Sequence, residues 1–244
     1  MQGCNNYCAY CVVPYTRGRE VSRPAQDILD EVQLLAASGV SEITLLGQNV
    51  NSYQDTRRPG SGHPVFSFSD LLHAVARVDG VRRLRFTTSH PKDLSDRLID
   101  CFAELPNLCP QFHLPVQSGS DAVLARMNRN YRIQDYLERV ERLQKRRPDI
   151  AVTTDIIVGF PGETDTDFEQ TMQLLETVRF HGSFSFKYSD RPGTRAVQLD
   201  GKLDEKTKSA RLRRFQMRQD QISLERNREY LGCDVEILVE AVQS

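Results

Sequence analysis

Three cysteines near the start of the chain have the spacing of a metal-binding loop. Cys4, Cys8 and Cys11 form a Cys-x3-Cys-x2-Cys motif, with the aromatic Tyr10 inside it and no fourth cysteine nearby. A structural zinc ion usually takes four protein ligands, whereas a cubic 4Fe-4S cluster held by three thiolates leaves one iron open. An open iron can chelate a substrate. Because the motif offers three thiols rather than four ligands, their number and spacing favour an iron–sulfur cluster over structural zinc.

Three alternatives to a cluster stay open at this point. They are a zinc site completed by a distant His or Cys, a chance group of buried thiols, and a disulfide. The remaining thiols, Cys101, Cys109 and Cys233, have no ligand spacing, and Cys101 lies on the apolar face of a predicted helix. We expect His90 and His113 to be packed or hydrogen-bonded, with a role in the site as the alternative for His90.

The composition is that of a globular protein without a dominant charge. The 244 residues carry 32 Lys and Arg against 33 Asp and Glu, for a formal net charge of -1. This balance excludes the general basic field of a small nucleic-acid-binding protein, so any RNA contact must be local. No apolar run is long enough to cross a bilayer and no signal segment opens the chain, so we expect a cytoplasmic protein without a membrane partner. The composition leaves the oligomeric state open.

Short β-rich runs alternate with segments of helical periodicity, which predicts an α/β fold with a parallel sheet. The predicted strands are Ile43 to Val50, Leu84 to Ser89, Phe112 to Gln117, Val152 to Gly159 and Phe184 to Ser189. The predicted helices are marked by the apolar positions within Ile28 to Ala36, Leu94 to Leu105, Ile133 to Leu143 and Phe168 to Val178. Pro24 opens the first helix and Gly39 closes it. Thr164 and Asp167 form a capping box before the last.

Both ends of the chain are incomplete as parts of such a fold. Only three residues precede Cys4, so we expect the strand that leads into the cysteine loop to be missing. A charged helix from about Leu203 to Tyr230 is followed by Cys233 to Val242, which alternates like one β-strand. We therefore interpret residues 1–230 as a core domain and residues 231–244 as the truncated start of a second, β-rich domain. The polar stretch Asn51 to Pro64 is predicted to be a surface loop.

The cysteine motif and several later segments resemble a known enzyme family. Cys4 to Cys11 is similar to the signature of radical S-adenosylmethionine (SAM) enzymes, and Val12 to Gly18 with Ser22 to Pro24 resembles their methylthiotransferase subgroup. The blocks that resemble its tRNA-modifying branch, called MiaB, are Leu46 to Asn51, Thr87 to Pro91, His113 to Ser120, Val158 to Thr164 and Tyr188 to Thr194. The resemblance covers essentially the whole chain. The blocks Tyr15 to Gly18 and Gly47 to Asn49 narrow it to tRNA rather than ribosomal-protein substrates.

The resemblance implies a partial (βα)6 barrel that lacks its first strand, with a 4Fe-4S cluster on Cys4, Cys8 and Cys11. SAM would bind the open iron through its amino and carboxylate groups. One electron from a reducing donor would then cleave SAM to methionine and a 5'-deoxyadenosyl radical. No catalytic residue beyond the cluster ligands is implied.

The same resemblance implies SAM contacts at three turns that follow strands. The residues are Gly47, Gln48 and Asn49 for the methionyl amine, Gln117, Ser118 and Gly119 for the ribose, and Gly159, Phe160, Pro161 and Gly162 for the adenine. Each turn also has a purely structural role available to it. The first is an ordinary strand-to-helix turn, the second a capped helix start at Ser118 or Ser120, and the third a tight turn between strand and helix.

Two groups of basic residues raise the question of RNA binding. Arg126, Arg129 and Arg132 lie between two predicted helices. The second group runs along the last helix and consists of Lys206, Lys208, Arg211, Arg213, Arg214 and Arg218. Acidic residues accompany both groups, so a solvated helix face is the simpler interpretation. In the family that the chain resembles, a small β-barrel of the TRAM type follows the core and grips tRNA, and Cys233 to Val242 resembles its first strand.

The resemblance implies a tRNA methylthiotransferase that acts on carbon 2 of N6-isopentenyladenosine beside the anticodon. In such enzymes an amino-terminal domain holds a second 4Fe-4S cluster that donates sulfur, so we expect that cluster only in the full-length parent. One alternative is a sister methylthiotransferase that modifies threonylcarbamoyladenosine in tRNA or a ribosomal protein. An alternative from another class is a zinc-stabilised RNA-binding module without catalysis.

Overall fold

The computed structural model describes residues 1–57 and 65–239, in which helices and strands alternate. The strands are β1 (Glu42–Leu45), β2 (Gln54–Asp55), β3 (Phe66–Ser67), β4 (Arg83–Phe86), β5 (Gln111–His113), β6 (Ala151–Val158) and β7 (Gly182–Lys187). The helices are α1 (Val13–Thr16), α2 (Ala25–Ala37), α3 (Phe68–Ala76), α4 (Asp96–Glu104), α5 (Asp121–Arg126), α6 (Ile133–Arg146), α7 (Asp165–Val178) and α8 (Glu205–Arg228). Short 3-10 turns lie at Val50–Ser52, Pro91–Asp93 and Arg195–Gln198. The predicted α/β class is confirmed.

The main strands run parallel and follow one another in chain order. β1 pairs with β4, while β5 pairs with β6 and β6 with β7. A parallel bridge between Leu84 and Leu108 connects β4 to the segment before β5. β2 and β3 form a separate antiparallel pair. The parallel strands therefore follow the order β1-β4-β5-β6-β7 as a partial α/β barrel, and the described residues contain no closed one.

Every main strand ends earlier than its sequence pattern predicts. β1 ends at Leu45 rather than Val50, and β5 ends at His113 rather than Gln117. After β4, β5 and β6 the backbone enters the left-handed region, at Thr88, Gln117 and Gly159, whose φ values are 68°, 74° and 68°. A strand cannot continue through a left-handed residue. The polar blocks that the sequence pattern predicts as strand ends are thus loops at the carboxyl ends of the strands.

Aromatic side chains join the first strands to the helices that cover them. The ring of Phe86 on β4 lies 5.7 Å from that of Phe102 on α4 and 5.5 Å from that of Phe112 on β5. Cys101, next to Phe102, is fully buried, which confirms its predicted packing role. At the start of α7 the Thr164 hydroxyl accepts the Asp167 amide at 3.2 Å, so the predicted capping box is also confirmed.

The last helix covers the last two strands of the sheet. α8 packs on β7 and β6, and its Phe215 and Ile222 are fully buried. Gln219 donates from Nε2 to the carbonyl of Phe180 at 2.8 Å, which ties the middle of the helix to the chain just before β7. None of the described helices has the length and apolarity needed to span a membrane.

Two expectations at the margins of the core are corrected. Residues 233–239 contain no strand and are exposed, whereas we expect Cys233 to Val242 to be one strand. An isolated strand has no partner for its backbone groups, and residues 240–242 lie outside the described part. The polar stretch from Asn51 is not wholly a loop, because it includes β2, where the buried Asp55 accepts the Ala25 amide at 2.7 Å. Residues 58–64 of that stretch lie outside the described residues, and the domain boundary at residue 230 stays a prediction.

Candidate functional site

The three motif cysteines lie on one loop that is pinned at both ends. The amide of Cys4 donates to the carbonyl of Gly18 at 3.3 Å, and that of Cys11 donates to the carbonyl of Cys8 at 3.0 Å. Between them, the amide of Ala9 donates to the carbonyl of Met127 at 2.9 Å. All three thiols are free. Cys8 is buried and the other two are partly exposed, so the loop presents its sulfurs at the edge of the core.

Two of these sulfurs accept hydrogen bonds from neighbouring side chains. Asn6 donates from Nδ2 to the Sγ of Cys4 at 3.5 Å, and Arg129 donates from Nη1 to the Sγ of Cys8 at 3.5 Å. Burial raises the pKa of the Cys4 thiol and of the Cys11 thiol, and the neighbouring thiols raise both further. A cation or a metal cluster at this loop would favour the thiolates.

In the described part of the chain, no three His, Cys, Asp or Glu side chains converge in a way that could hold a metal ion. The three sulfurs are therefore not drawn together around one point. In a cubic cluster each thiolate binds a different iron, so its ligands stand further apart than those of one ion.

Arg129 is a charged partner of this loop, and its burial is a correction to the sequence prediction. The sequence predicts that Arg129, with Arg126 and Arg132, lies on a solvated helix face, with RNA contact as the alternative, but only 4% of Arg129 is exposed. Its Nη2 donates to the carbonyl of Pro115 at 2.6 Å, and its Nε donates to the Tyr131 hydroxyl at 3.1 Å.

Burial alone would lower the pKa of Arg129, but the neighbouring Tyr131, Tyr10 and Cys8 raise it well above its ordinary range, so the guanidinium stays charged. It makes no ion pair with a carboxylate of the described residues. No local sequence pattern indicates this role, because Arg129 meets the Cys8 sulfur across 121 residues of the chain.

The turn after β1 brings Gln48 to the start of the cysteine loop and places the neighbouring Asn49 against Asp93. Gln48 accepts the amide of Gly3 on Oε1 at 2.9 Å. Asn49 is buried and donates from Nδ2 to Asp93 at 2.8 Å, but its Oδ1 has no hydrogen-bond partner. Gly47 leaves room for the side chain of Met1, since a Cβ there would come within 2.6 Å of it. An unpaired buried acceptor is costly without a ligand or water.

The turn after β5 divides into one side chain near the cysteine loop and two residues that pack elsewhere. Gln117 lines a recess of about 260 Å³ together with Tyr10 and Tyr188. Gly119 instead donates its amide to the Thr171 hydroxyl of α7 at 2.9 Å, and a Cβ on Gly119 would come within 2.5 Å of that helix. Ser118 is fully buried within hydrogen-bond distance of the same hydroxyl.

Ser120 accepts the amide of Val123 and caps α5, as the structural interpretation of this turn anticipates.

The turn after β6 is packed against other parts of the chain. Phe160 is fully buried, with its ring 6.4 Å from that of Tyr10 and 5.1 Å from that of Tyr188. Gly159 has a φ of 68°, and a Cβ there would lie 2.3 Å from the Lys208 side chain of α8. Gly162 has a φ of 83° and is similarly close to Arg126. These glycines are thus required by the packing of Lys208 and Arg126, and Pro161 accepts from Arg126 at 2.9 Å.

The second basic group is largely paired within the molecule. Arg211 donates to Glu163 and to Asp165, at 2.6 Å in each case. Arg214 pairs with Glu169, and Arg218 pairs with Glu176. The ion pairs support the solvated, salt-bridged helix face as the interpretation of α8.

Comparison with known proteins shows a family and several relatives that this chain resembles. A family model described as "Radical SAM superfamily" matches residues 1–175. A curated relative from Desulfotalea psychrophila, named tRNA-2-methylthio-N(6)-dimethylallyladenosine synthase, is 63% identical over 243 residues, which are 100% of this chain and 54% of the relative. A relative of the same name from Syntrophus aciditrophicus is 54% identical over 98% of this chain and 51% of its own length. The chain thus spans about half the length of the curated relatives it matches.

Solved structures share the fold at low identity. The radical S-adenosylmethionine methyltransferase TsrM from Kitasatospora setae has a TM-score of 0.63 at 20% identity, over 80% of this chain and 37% of that chain. Coproporphyrinogen III oxidase (HemN) from Escherichia coli has a TM-score of 0.61 at 15% identity, over 91% of this chain and 51% of that chain.

Proposed function

The chain belongs to the radical SAM superfamily, and from that premise we propose that it is the core of a tRNA methylthiotransferase. Its substrate would be carbon 2 of N6-isopentenyladenosine, next to the tRNA anticodon. The names of the curated relatives support this substrate over threonylcarbamoyladenosine or a ribosomal protein. The observation that carries the proposal is the cysteine loop at the carboxyl ends of the parallel strands, with the buried cation of Arg129 against the Cys8 sulfur.

The residues of the loop fit a 4Fe-4S cluster held by Cys4, Cys8 and Cys11. Hydrogen bonds from Asn6 and Arg129 to two of the sulfurs stabilise thiolates, which are the form that binds iron. When both are bound, the cluster and SAM supply the one-electron chemistry that opens an unreactive C–H bond. An external reducing donor would supply the electron.

The polar groups around the loop suit the parts of SAM. The free Oδ1 of Asn49 would accept a hydrogen bond from the methionyl ammonium, and Gly47 and Gln48 would hold that turn against the loop. The charge of Arg129 would attract the methionyl carboxylate. The recess at Tyr10 and Gln117 offers aromatic and amide surfaces for the nucleoside.

The other predicted SAM contacts act mainly as supports in this proposal. Ser118 and Gly119 fix the recess by packing on α7, and the turn from Gly159 to Gly162 fixes it by packing on α8. Phe160 supports the recess through the contact of its ring with Tyr10.

The remaining parts of the reaction would come from outside the described core. Sulfur insertion would use a second cluster in a longer parent protein, and a TRAM-type domain there would add contacts to tRNA. Such an enzyme would act on tRNA in the cytoplasm.

Anaerobic reconstitution tests the central proposal. The chain should take up about four iron and four sulfide ions and, with a reductant, convert SAM to 5'-deoxyadenosine. Cys8→Ala should lose both iron and cleavage, whereas Cys101→Ala, in a packed helix face, should keep both. Zinc uptake without sulfide would instead support the RNA-binding module, and full activity in Cys8→Ala would overturn the ligand assignment.

A further inference from the structure

Two exposed tyrosines stand on the cysteine loop and the helix that follows it. Tyr7 is 41% exposed and Tyr15 is 59% exposed, and their ring centroids lie 6.1 Å apart at an interplanar angle of 77°. Soluble proteins usually bury most of such rings or give their hydroxyls a partner. An exposed aromatic pair is therefore a surface on which another flat ring can stack.

The backbone of Tyr7 is held in a costly conformation. Its φ is 48°, in the left-handed region that a bulky residue rarely occupies. Asn128 holds it there by donating from Nδ2 to the carbonyl of Tyr7 at 2.8 Å. Burial of the ring does not compensate for this strain, since the ring is exposed. Strain of this kind is found where a side chain must be presented in a set position.

Three exposed arginines lie on segments that are hydrogen-bonded to the cysteine loop. Arg17 and Arg19 follow Tyr15, and the carbonyl of Gly18 between them accepts the Cys4 amide at 3.3 Å, so this turn lies beside the cysteine loop. Arg195 lies at the same loop, because the amide of the next residue, Ala196, donates to the carbonyl of Ala9 at 2.9 Å.

The side chains of these arginines are unengaged, in contrast to the cations of α8. Within residues 1–57 and 65–239, Arg17, Arg19 and Arg195 form no ion pair and no side-chain hydrogen bond. Arg214 and Arg218 on α8 are equally basic but bind Glu169 and Glu176. Unpaired cations are therefore available around the cluster loop, whereas most cations of α8 are neutralised by carboxylates.

We propose that Tyr7, Tyr15, Arg17, Arg19 and Arg195, which we call the rim, bind an unpaired stretch of RNA beside the cluster. A base would stack on the tyrosine pair while the arginines contact phosphates. The neighbouring nucleotide would then reach the cluster side of the loop. This inference rests on the proposed function and assigns to the core its own contact with the RNA loop, independent of any domain outside the chain.

The test is fluorescence anisotropy of the cluster-loaded chain, without oxygen, with a labelled RNA stem that has an unpaired loop. An RNA duplex of the same length is the comparison. The wild-type chain should bind the looped RNA more tightly than the duplex. Tyr15→Ala should weaken that binding on the order of tenfold, as expected for loss of one stacked base, while Tyr15→Phe should retain it.

Charge is tested with two matched double variants. Arg17→Ala with Arg19→Ala should reduce the slope of log Kd against log salt by about 0.7 per lost phosphate contact. Arg214→Ala with Arg218→Ala removes the same formal charge from α8 and should leave affinity within about twofold and the salt slope unchanged. Iron content of each variant shows that its cluster loop is intact.

Normal RNA binding by Tyr15→Ala and by the Arg17 and Arg19 variant would overturn the rim and leave the proposed enzyme standing. Equal effects of the rim pair and the α8 pair would also overturn it, since only total charge would then matter. Absence of iron-dependent SAM cleavage in the wild-type chain is the separate result that would overturn the proposed function.

Discussion

Two buried arginines of this chain have opposite electrostatic surroundings. Arg211 is 7% exposed and donates to the carboxylate of Glu163 at 2.6 Å. Arg129 is 4% exposed, yet its bonds go to a carbonyl, the Tyr131 hydroxyl and the Cys8 sulfur. Taking a cation out of water without an anion costs several kcal/mol, which the hydrogen bonds only offset. The charge of Arg129 is thus better explained by an anionic ligand or cluster than by folding.

Replacing each arginine by Met should separate these two roles. Arg129→Met should change the free energy of unfolding of the cluster-free chain by no more than about 1 kcal/mol, because the lost bonds and the relieved burial oppose each other. Arg211→Met should lower it by about 3 kcal/mol, since Glu163 is left buried and unpaired. Urea denaturation measures both changes.

In the reconstituted chain, Arg129→Met should bind SAM about tenfold more weakly, and Arg129→Lys should recover part of the loss. If Arg129→Met bound SAM normally and were as unstable as Arg211→Met, Arg129 would be a structural residue only.

At the scale of elements, α8 holds the turn after β6 in place through hydrogen bonds and side-chain packing. Glu163 accepts the amide of Gly159 at 2.8 Å and the guanidinium of Arg211 at 2.6 Å, so one carboxylate joins the turn to the helix. Lys208 crosses Gly159 and donates to the carbonyl of Tyr188 at 3.2 Å. The shape of this wall of the recess therefore depends on how α8 docks.

A side chain at residue 159 should act first through this packing. Gly159→Ala should lower the free energy of unfolding by about 2 kcal/mol, from the positive φ and from the collision with Lys208. Lys208→Ala in the same chain should recover the part that the collision causes, which a double-mutant cycle of urea denaturation measures.

The double variant also separates the effect of residue 159 on SAM binding from its effect on packing. If adenine lies against this turn, the double variant should bind SAM more weakly than Lys208→Ala alone, at equal cluster content. Equal affinity of those two chains would assign Gly159 to packing alone.

At the scale of the whole molecule, the site is an edge where separate strands end. Gln48 follows β1, Gln117 follows β5 and Phe160 follows β6, and all three contact the cysteine loop or line the recess beside Tyr10. Ligands of parallel α/β folds bind at this carboxyl edge. The chain spans about half the length of its curated relatives.

The isolated chain should therefore generate radicals without finishing the proposed reaction. With SAM and a reductant it should form 5'-deoxyadenosine slowly, because the first cluster suffices for cleavage. Methylthiolated nucleoside should be undetectable by mass spectrometry after incubation with tRNA that carries N6-isopentenyladenosine. Cys101 and Cys109 are buried and Cys233 belongs to no ligand-spaced pair, so these thiols are poor ligands for a second cluster. Robust formation of that product by the 244-residue chain would contradict the two-cluster division of labour.

The sequence alone determined the cysteine motif, the α/β class, the approximate place of each main strand and the capping box at Thr164. These features depend on residues close together in the chain, through spacing, alternation and local hydrogen bonds. They can therefore be predicted from the sequence. The ends of the strands could not be predicted as well, because Thr88 and Gln117 have a left-handed backbone that these residue types seldom adopt.

Only the tertiary structure decided which charges and glycines serve the site. Arg129 and Cys8 are 121 residues apart in the chain, and Arg211 and Glu163 are 48 apart. Whether a basic residue is a buried partner of a thiol, half of an ion pair or a free cation depends on what the fold brings against it. Residue 159 likewise has to be a glycine, because the side chain of Lys208 occupies the space that a Cβ would fill. Burial and pairing are properties of long-range packing, and a pattern of neighbours along the chain does not contain them.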